Sequence, residues 1–344
     1  MQTIISLEEA LKLDNPIFID MRSPVEFADG RIPGAVNIPL FEDEERSQVG
    51  LVYRVDGPDE AKQLGLSLVS TKLPDIVKQI RGHYKNKRTV IVYCWRGGMR
   101  SKAVVNVLDL MGIPARQLVG GYKNYRRHVL DALENFSSLP PVVVLCGSTG
   151  VGKTMLLDLL ACRGVPVIDL EKLANHRGSV FGQVGLGRPA TAHNFDTALL
   201  GELERLRSQP YIVVECESKR IGNVYLPKVL HEAMDKGRKI LAKASVETRV
   251  SRLIDEYLDI YRDNQEAIVA SINMLKKRLG AAKTQKLLAA FAADQVREVV
   301  RSLLVDYYDP LYGYETADPA EFDYTVDAEN LEEAASQIID YLTK

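Results

Sequence analysis

The chain has 344 residues, with 44 Lys and Arg set against 46 Asp and Glu for a formal net charge of -2. This length predicts two domains, each able to bury its own core, and the near-neutral balance excludes a global basic field, so any nucleic-acid partner must be held by local patches. No apolar run approaches a membrane span, and Met1-Gln2-Thr3-Ile4-Ile5 has neither the basic start nor the apolar core of a secretory signal, so a cytoplasmic protein is expected.

Phe18, Ile19 and Asp20 end a short strand, and Arg22-Ser23-Pro24-Val25-Glu26 restarts the chain as a helix, Pro24 suiting its first turn. Gly30-Arg31-Ile32-Pro33-Gly34-Ala35 is a turn signal leading to the extended piece Val36-Asn37-Ile38-Pro39. Thr89 to Tyr93 form a β-branched and aromatic strand that ends at Cys94. Cys94-Trp95-Arg96-Gly97-Gly98-Met99-Arg100-Ser101 follows, and an apolar helical pattern runs on through Val104, Val105, Val107, Leu108 and Leu110. Cys94 is thus expected where a strand meets a helix N-terminus, in a loop carrying Arg96 and Arg100. Both features stabilise a thiolate, the nucleophilic form, which makes Cys94 the candidate catalytic residue. The alternative is a buried structural cysteine. The other cysteines, Cys146, Cys162 and Cys216, are widely spaced without a C-x-x-C pair, which argues against a structural metal or a disulfide framework.

Asp20-x-Arg22, Glu26-Phe27, the Gly30 to Asn37 turn, the strand into Cys94 and Leu118-Val119-Gly120-Gly121-Tyr122 together resemble a rhodanese domain over most of residues 5 to 130. The resemblance implies a carrier of sulfur as a cysteine persulfide, with Trp95, Arg96, Gly97, Gly98, Arg100, Asp20 and Arg22 supporting the cysteine. Arg31 stands where many rhodaneses have His. The C-x5-R spacing from Cys94 to Arg100 is one residue longer than usual and resembles rhodanese-fold phosphatases, with room for a phosphate-sized group. Lys123, Arg126 and Arg127, interleaved with Tyr122 and Tyr125, then form a basic helical run, either a solvated face or a surface for an RNA backbone. Ser137-Ser138-Leu139-Pro140-Pro141 marks a domain boundary.

Val142 to Leu145 read as a buried strand, followed by Gly147-Ser148-Thr149-Gly150-Val151-Gly152-Lys153-Thr154 and a helix, so every fixed position of the G-x-x-x-x-G-K-[ST] phosphate loop is filled in the required context. Successive N–H groups of such a loop cradle an anion at the helix start. Lys153 is expected to reach outer phosphates and Thr154 to offer its hydroxyl to magnesium. The helix from Lys153 to Cys162 ends at Gly164, and strands are expected at Val165 to Asp169, Tyr211 to Val214 and Lys239 to Ala242, giving a mainly parallel sheet covered on both faces. Glu215, after four apolar residues, resembles the acidic strand end that orients magnesium beside a phosphate loop. Asp169, Glu217, and His176 and Arg177 in the polar segment Ala174 to Gly182 are further candidates for magnesium or substrate contacts. From Val246 onward the pattern is helical, with Arg249 and Arg252 on one face. Lys276, Lys277 and Arg278 form a second basic stretch, either a face carried for solubility or a surface for an RNA backbone.

The expected organisation is α/β: a rhodanese-like domain over 1–135, a linker over 136–141, a P-loop NTPase-like parallel-sheet domain over 142–245, and a mainly helical part over 246–344 packed on it. The pairing of these modules with Asp169-Leu170-Glu171, Asn175-His176-Arg177-Gly178-Ser179, Glu215-x-Glu217-Ser218 and Tyr307-Tyr308-Asp309-Pro310-Leu311-Tyr312 is similar, over nearly the whole chain, to the tRNA 2-selenouridine synthase family. The resemblance implies replacement of sulfur by selenium at the wobble 2-thiouridine of a tRNA anticodon loop. Geranyl diphosphate would first alkylate the sulfur at the phosphate loop, and selenophosphate from a selenophosphate synthase would then supply selenium through Cys94. No tightly bound cofactor is implied beyond a role for Mg2+. A P-loop kinase of a small molecule or RNA with an accessory rhodanese module is the alternative. A dual-specificity phosphatase is a third reading, without an obvious general acid.

Overall fold

A computed structural model describes residues 3–84, 88–314 and 318–343. The chain divides into two compact units, Met1–Leu133 and Glu134–Lys344. No described helix is long and apolar enough to cross a membrane.

The first unit is built on a parallel sheet of β1 (Ile4–Ile5), β2 (Ile17–Asp20), β3 (Val36–Asn37), β4 (Val90–Tyr93) and β5 (Ala115–Leu118), in the order β1-β5-β4-β2-β3. The four residues of β4 are wholly buried, as expected for a central parallel strand with helices on both faces. Ile19, Met21, Ile38, Ile80, Val104 and Leu108 close around it. The helix Pro24–Asp29 starts as expected, with Pro24 in its first turn and a reciprocal Ser23–Glu26 capping box. The helices Asp43–Val55, Pro58–Ser70 and Leu73–His83 fill the interval between β3 and β4. The helix after Cys94 begins at Met99, two residues earlier than the apolar pattern alone indicates, because Gly98 serves as its N-cap.

The second unit carries β6 (Val142–Cys146), β7 (Val167–Ile168), β8 (Ile212–Glu215), an antiparallel pair β9 (Arg220–Ile221) and β10 (Val224–Tyr225), then β11 (Arg238–Lys243) and β12 (Tyr324–Asp327). The main sheet is parallel throughout, in the order β12-β11-β6-β8-β7. Leu145, Leu156, Leu160, Val213 and Ile240 are core residues of this sheet. Residues 246–344 are helical only in part. The helices from Val246 to Tyr312 enclose a separate apolar core around Val250, Ile272, Leu287, Val299 and Leu303. The chain then returns to the sheet, with Tyr324 of β12 opposite Ile240 of β11, and the helix Leu331–Leu342 packs against Lys153–Cys162. Four alternating residues beside an acidic stretch are a weak periodic signal, which is why β12 is not evident before folding.

The turn after β5 presses against the cysteine loop, and Gly121 makes this possible: its φ is +56° and a Cβ there would stand 2.2 Å from the Cys94 carbonyl oxygen. Gly121→Ala is therefore expected to destabilise the first unit by about 2 kcal/mol or more, combining left-handed strain with backbone displacement. A lowered urea midpoint with an unchanged slope for this unit checks it; an unchanged midpoint contradicts the close approach.

Candidate functional site

Two strand ends carry the chemistry. In the first unit the Gly98 N–H donates to Cys94 Sγ at 3.2 Å, and Ser101 Oγ lies 3.4 Å from the same sulfur. Cys94 is only 3% exposed. Gln117, reaching across from β5, donates through Nε2 to Gly97 O (2.8 Å), Gly98 O (3.0 Å) and Ser101 Oγ (2.9 Å). The Tyr122 N–H donates to Cys94 O at 2.9 Å and the Lys123 N–H to Trp95 O at 2.8 Å. The loop is therefore tied on its carbonyl side, and it meets the sulfur with an N–H group at a helix start, the arrangement that favours anions. Gln117 and Ser101 were not among the expected site residues. The signal for Gln117 is an uncharged polar residue in a strand whose side chain is buried.

Asp20 and Arg22 are both fully buried and bridged at 2.6 Å, and Arg22 Nη2 also donates to Gly30 O at 2.5 Å. The Arg22 guanidinium stands 3.9 Å from the Tyr122 ring centroid, with Trp95 and Tyr93 at 5.8 and 5.9 Å. This pair thus supports the loop from beneath and is shut off from solvent. Arg100 Nη1 donates to Glu26 Oε2 at 2.7 Å. Burial of Glu26 works against its charge, but the bond from Arg100 outweighs it and holds the carboxyl below its ordinary range. Of the two loop arginines, Arg96 is exposed and Arg100 is committed to this ion pair. In the helix Gly121–Glu134, Lys123 and Arg127 are exposed and Arg126 is half-buried, while Tyr122 and Tyr125 face the core. The interleaved tyrosines therefore offer no stacking platform beside the basic residues. A cavity of about 810 Å³ lies between Asp43–Val55 and Pro58–Ser70 and reaches Met99 and Arg100.

In the second unit Gly152, at φ 93°, caps the helix Lys153–Cys162, and Lys153 Nζ donates to Gly147 O at 3.0 Å. Thr154 is exposed on the first turn and Ser148 is buried. Arg249 and Arg252 of the helix Val246–Asp263 brace the loop: Arg249 Nε donates to Thr149 O at 2.9 Å, and Arg252 Nη1 to Val151 O at 2.7 Å. Arg252 Nη2 also donates to Ala328 O (2.7 Å) and Glu329 O (2.9 Å). The buried Arg249 guanidinium is held by Asp309 at 2.5 and 3.2 Å. The shared face of Arg249 and Arg252 is therefore a brace for the phosphate loop, and Asp309 anchors it. Lys276, Lys277 and Arg278 are exposed on the short helix Lys276–Leu279.

Carboxylates collect beside Lys153. Glu215, the last residue of β8, is buried; its Oε1 accepts the Glu171 N–H at 2.7 Å and its Oε2 has no hydrogen-bond partner. The Glu171 and Glu217 carboxylates converge on Gly178, where a Cβ would stand 2.7 Å from Glu171 Oε1 and 2.9 Å from both Glu217 oxygens. Burial first, then the charges of Glu217 and Glu215, push Glu171 up to about 9, against the opposing field of Lys153. Burial, then Asp169, pushes Glu215 up to about 8, and burial raises Glu217 as well. Glu171 was not among the expected site residues; its signals in the sequence are its place just past a strand end of this sheet and its membership of the run Asp169-Leu170-Glu171. Asp169 Oδ1 caps the helix Leu170–Ala174 by accepting the Lys172 N–H at 2.7 Å. His176 Nδ1 accepts the Gly178 N–H at 3.1 Å, and burial lowers its basicity. Arg177 bonds Val184 O at 3.1 Å and Glu256 at 3.0 Å. His176 and Arg177 thus hold their own loop together. Among the described residues, no three His, Cys, Asp or Glu side chains form a metal cage.

Beside the loop, a cavity of about 120 Å³ has Thr149 in its wall together with Leu253, Ile268, Phe291, Val299 and Leu303. At the strand ends beneath the loop, the Tyr314 O–H donates to Cys216 Sγ at 3.2 Å, and Cys146 ends β6.

A cysteine cradled at a parallel-sheet switch point in one unit, and a braced phosphate loop in the other, define a rhodanese-like domain followed by a P-loop domain. Residues 3–128 match the rhodanese-like domain family, and residues 140–342 match the family described as tRNA 2-selenouridine synthase AAA domain. The tRNA 2-selenouridine synthase of Pseudomonas syringae pv. syringae (strain B728a) is 36% identical over 334 residues, covering 89% of this chain and 90% of the relative. Those of Hydrogenovibrio crunogenus (38%, covering 89% and 91%) and Shewanella piezotolerans (36%, covering 90% and 90%) are comparable. The chain belongs to the tRNA 2-selenouridine synthase family.

The carboxylate cluster sets a pH dependence. Folded values near 8 and 9 lie above the ordinary 4.5, so the folded unit binds the extra protons. The corresponding stability is complete below pH 4.5 and is lost as pH rises through about 8 to 9. In metal-free buffer, Glu171→Gln should raise the melting temperature of the second unit at alkaline pH by several degrees and leave it nearly unchanged near pH 5. Equal shifts at both pH values contradict this assignment.

Proposed function

We propose that this chain converts wobble 2-thiouridine of tRNA to 2-selenouridine, with the phosphate loop serving alkylation of the sulfur by geranyl diphosphate and Cys94 releasing selenium from selenophosphate. The observation that carries this reading is the apolar cavity walled in part by Thr149 of the phosphate loop. A nucleotide base needs polar partners along its edge, whereas the walls here are aliphatic and aromatic apart from the hydroxyl-bearing Thr149, Ser179 and Tyr308, and an isoprenyl chain needs no more.

In the first stage the thiocarbonyl sulfur forms a bond to the allylic carbon as the carbon–oxygen bond to diphosphate breaks. The N–H groups of Gly147 to Thr154 and the Lys153 ammonium stabilise the charge that develops on the leaving oxygen. Alkylation turns a poor leaving group into a good one. The residues present also suit a magnesium ion, which keeps several waters and takes few protein carboxylates. Glu215 Oε2, buried without a partner, and Glu217 would hold it with the Thr154 hydroxyl. When bound, it neutralises diphosphate charge.

In the second stage the N–H groups around Cys94 and the exposed Arg96 receive the phosphate of selenophosphate, and the Cys94 thiolate bonds to phosphorus as the P–Se bond breaks and hydroselenide leaves; water then frees the phosphate and restores the thiol. Arg100, already paired with Glu26, shapes the loop. Hydroselenide then adds at C2 of the base, the C2–S bond breaks and geranyl thiol leaves with the proton. The wobble base is unpaired in its loop, so it can be splayed out without melting a duplex. Lys123, Arg126, Arg127, Lys276, Lys277 and Arg278 would contact tRNA phosphates, giving affinity that weakens with salt. A selenophosphate synthase supplies the selenium donor, in the cytoplasm where tRNA is modified.

Two substitutions test the division of labour, read by mass of the digested nucleosides after incubation with thiolated tRNA and both donors. Cys94→Ser should abolish selenium insertion and leave geranylation intact. Lys153→Ala should cut geranylation by about 100-fold or more, the scale of one lost transition-state contact. Undiminished alkylation by the Lys153 variant, or phosphorylation of an acceptor with consumption of ATP, contradicts the reading in favour of a kinase.

A further inference from the structure

Cys146 and Cys216 take no part in the chemistry above, yet they flank its central parts: Cys146 immediately precedes Gly147, and Cys216 stands between Glu215 and Glu217. We propose that these two cysteines are a redox pair whose reversible disulfide disables the phosphate loop from beneath.

The strand register places them together. In the parallel pairing of β6 with β8, Leu145 is opposite Glu215, and the Cys216 N–H donates to Leu145 O at 2.9 Å. The pairing ends there, with Cys146 the last residue of β6 and Cys216 the first after β8, so the same register continued by one residue brings Cys146 beside Cys216 with both side chains on one face. Adjacent strands lie roughly 4.8 Å apart, inside the Cα separation of roughly 4.4 to 6.8 Å that a disulfide spans.

Their exposure differs in a way that suits stepwise oxidation. Cys146 is buried at 1%, whereas Cys216 is half-buried, with the Tyr314 hydroxyl donating to its sulfur at 3.2 Å. A peroxide can reach Cys216: the thiol becomes a sulfenic acid as one O–O bond breaks and water leaves. The Cys146 thiol then attacks that sulfur, forming the S–S bond and expelling a second water. Two thiols and one hydrogen peroxide thus give one disulfide and two waters. A dithiol reverses the change by exchange.

The consequence follows from how tightly Gly147 is placed. A Cβ at this residue would stand 2.7 Å from the Ala242 carbonyl oxygen, so the start of the loop is wedged against β11. Drawing two sulfurs to roughly 2.05 Å pulls the adjoining Gly147 and Glu217 out of register with the rest of the site. This regulatory consequence rests on the loop being a diphosphate site; formation of the disulfide does not.

The full chain carrying Cys94→Ser and Cys162→Ser retains only Cys146 and Cys216. Equimolar hydrogen peroxide should remove both alkylatable thiols, lower the intact mass by two hydrogens and yield one linked tryptic peptide pair, all reversed by dithiothreitol. Cys146→Ser and Cys216→Ser, each added to that background, should give no intramolecular link. Thiols that remain alkylatable, or Cys216 passing to the sulfinic acid with Cys146 untouched, overturn the pairing. Calorimetric titration with inorganic pyrophosphate should show about tenfold weaker binding by the oxidised protein. Equal affinity overturns the regulatory role. Absence of pyrophosphate binding by the reduced protein overturns the reading of the loop, while the mass measurement decides the disulfide independently.

Discussion

The buried guanidinium of Arg249 is the interaction on which the second unit's site depends. It donates to the Thr149 carbonyl and is itself held by Asp309, so a charge with no access to water joins the phosphate loop to the helical core that follows the sheet. Removing either partner of such a pair leaves the other charge buried and uncompensated, at a cost of roughly 3 to 5 kcal/mol. Arg252 ties Val151 to the carbonyls of Ala328 and Glu329, so the returning strand and the loop are fixed to the same helix. The loop is shaped before any phosphate arrives, which is the condition for its N–H groups to stabilise charge without reorganising.

The first unit reaches a similar end by another route. Asp20 and Arg22 form an ion pair shut off from solvent, and the flat guanidinium packs beneath Tyr122 and beside Trp95. Gln117 then ties the carbonyl side of the loop, leaving N–H groups for the sulfur. In both units charged residues that look like ligands for an external anion are spent on holding backbone. Arg96 is left exposed, and Lys153 meets the Gly147 carbonyl of its own loop.

The carboxylates around Lys153 show the opposite balance. Glu215 is buried and Glu171 and Glu217 are half-buried beside it with too little positive charge, which raises all three above their ordinary range. Such a cluster is a cost to folding that a bound cation or a shared proton offsets, and it stands beside the loop that would receive the most highly charged part of the substrate.

The sequence by itself determined the two strand-to-helix turns, because each depends on local chemistry: Cys94 followed by glycines and arginines, and Gly147 to Thr154 with its flanking strand and helix. It also determined the parallel sheets, since Val90 to Tyr93 and Val142 to Leu145 are apolar without alternation, as strands buried on both faces must be. What only the tertiary structure decided was the assignment of charges to partners. Arg22, Arg100, Arg177, Arg249 and Arg252 carry the same residue code, yet their partners are Asp20, Glu26, Glu256, Asp309 and three backbone carbonyls. Ion pairing depends on distances between residues up to about a hundred positions apart, and neither periodicity nor motif spacing encodes those distances. For the same reason the placement of Glu171 against Glu217, the meeting of Cys146 with Cys216 and the return of Tyr324–Asp327 to the sheet emerge only when the strands are in register.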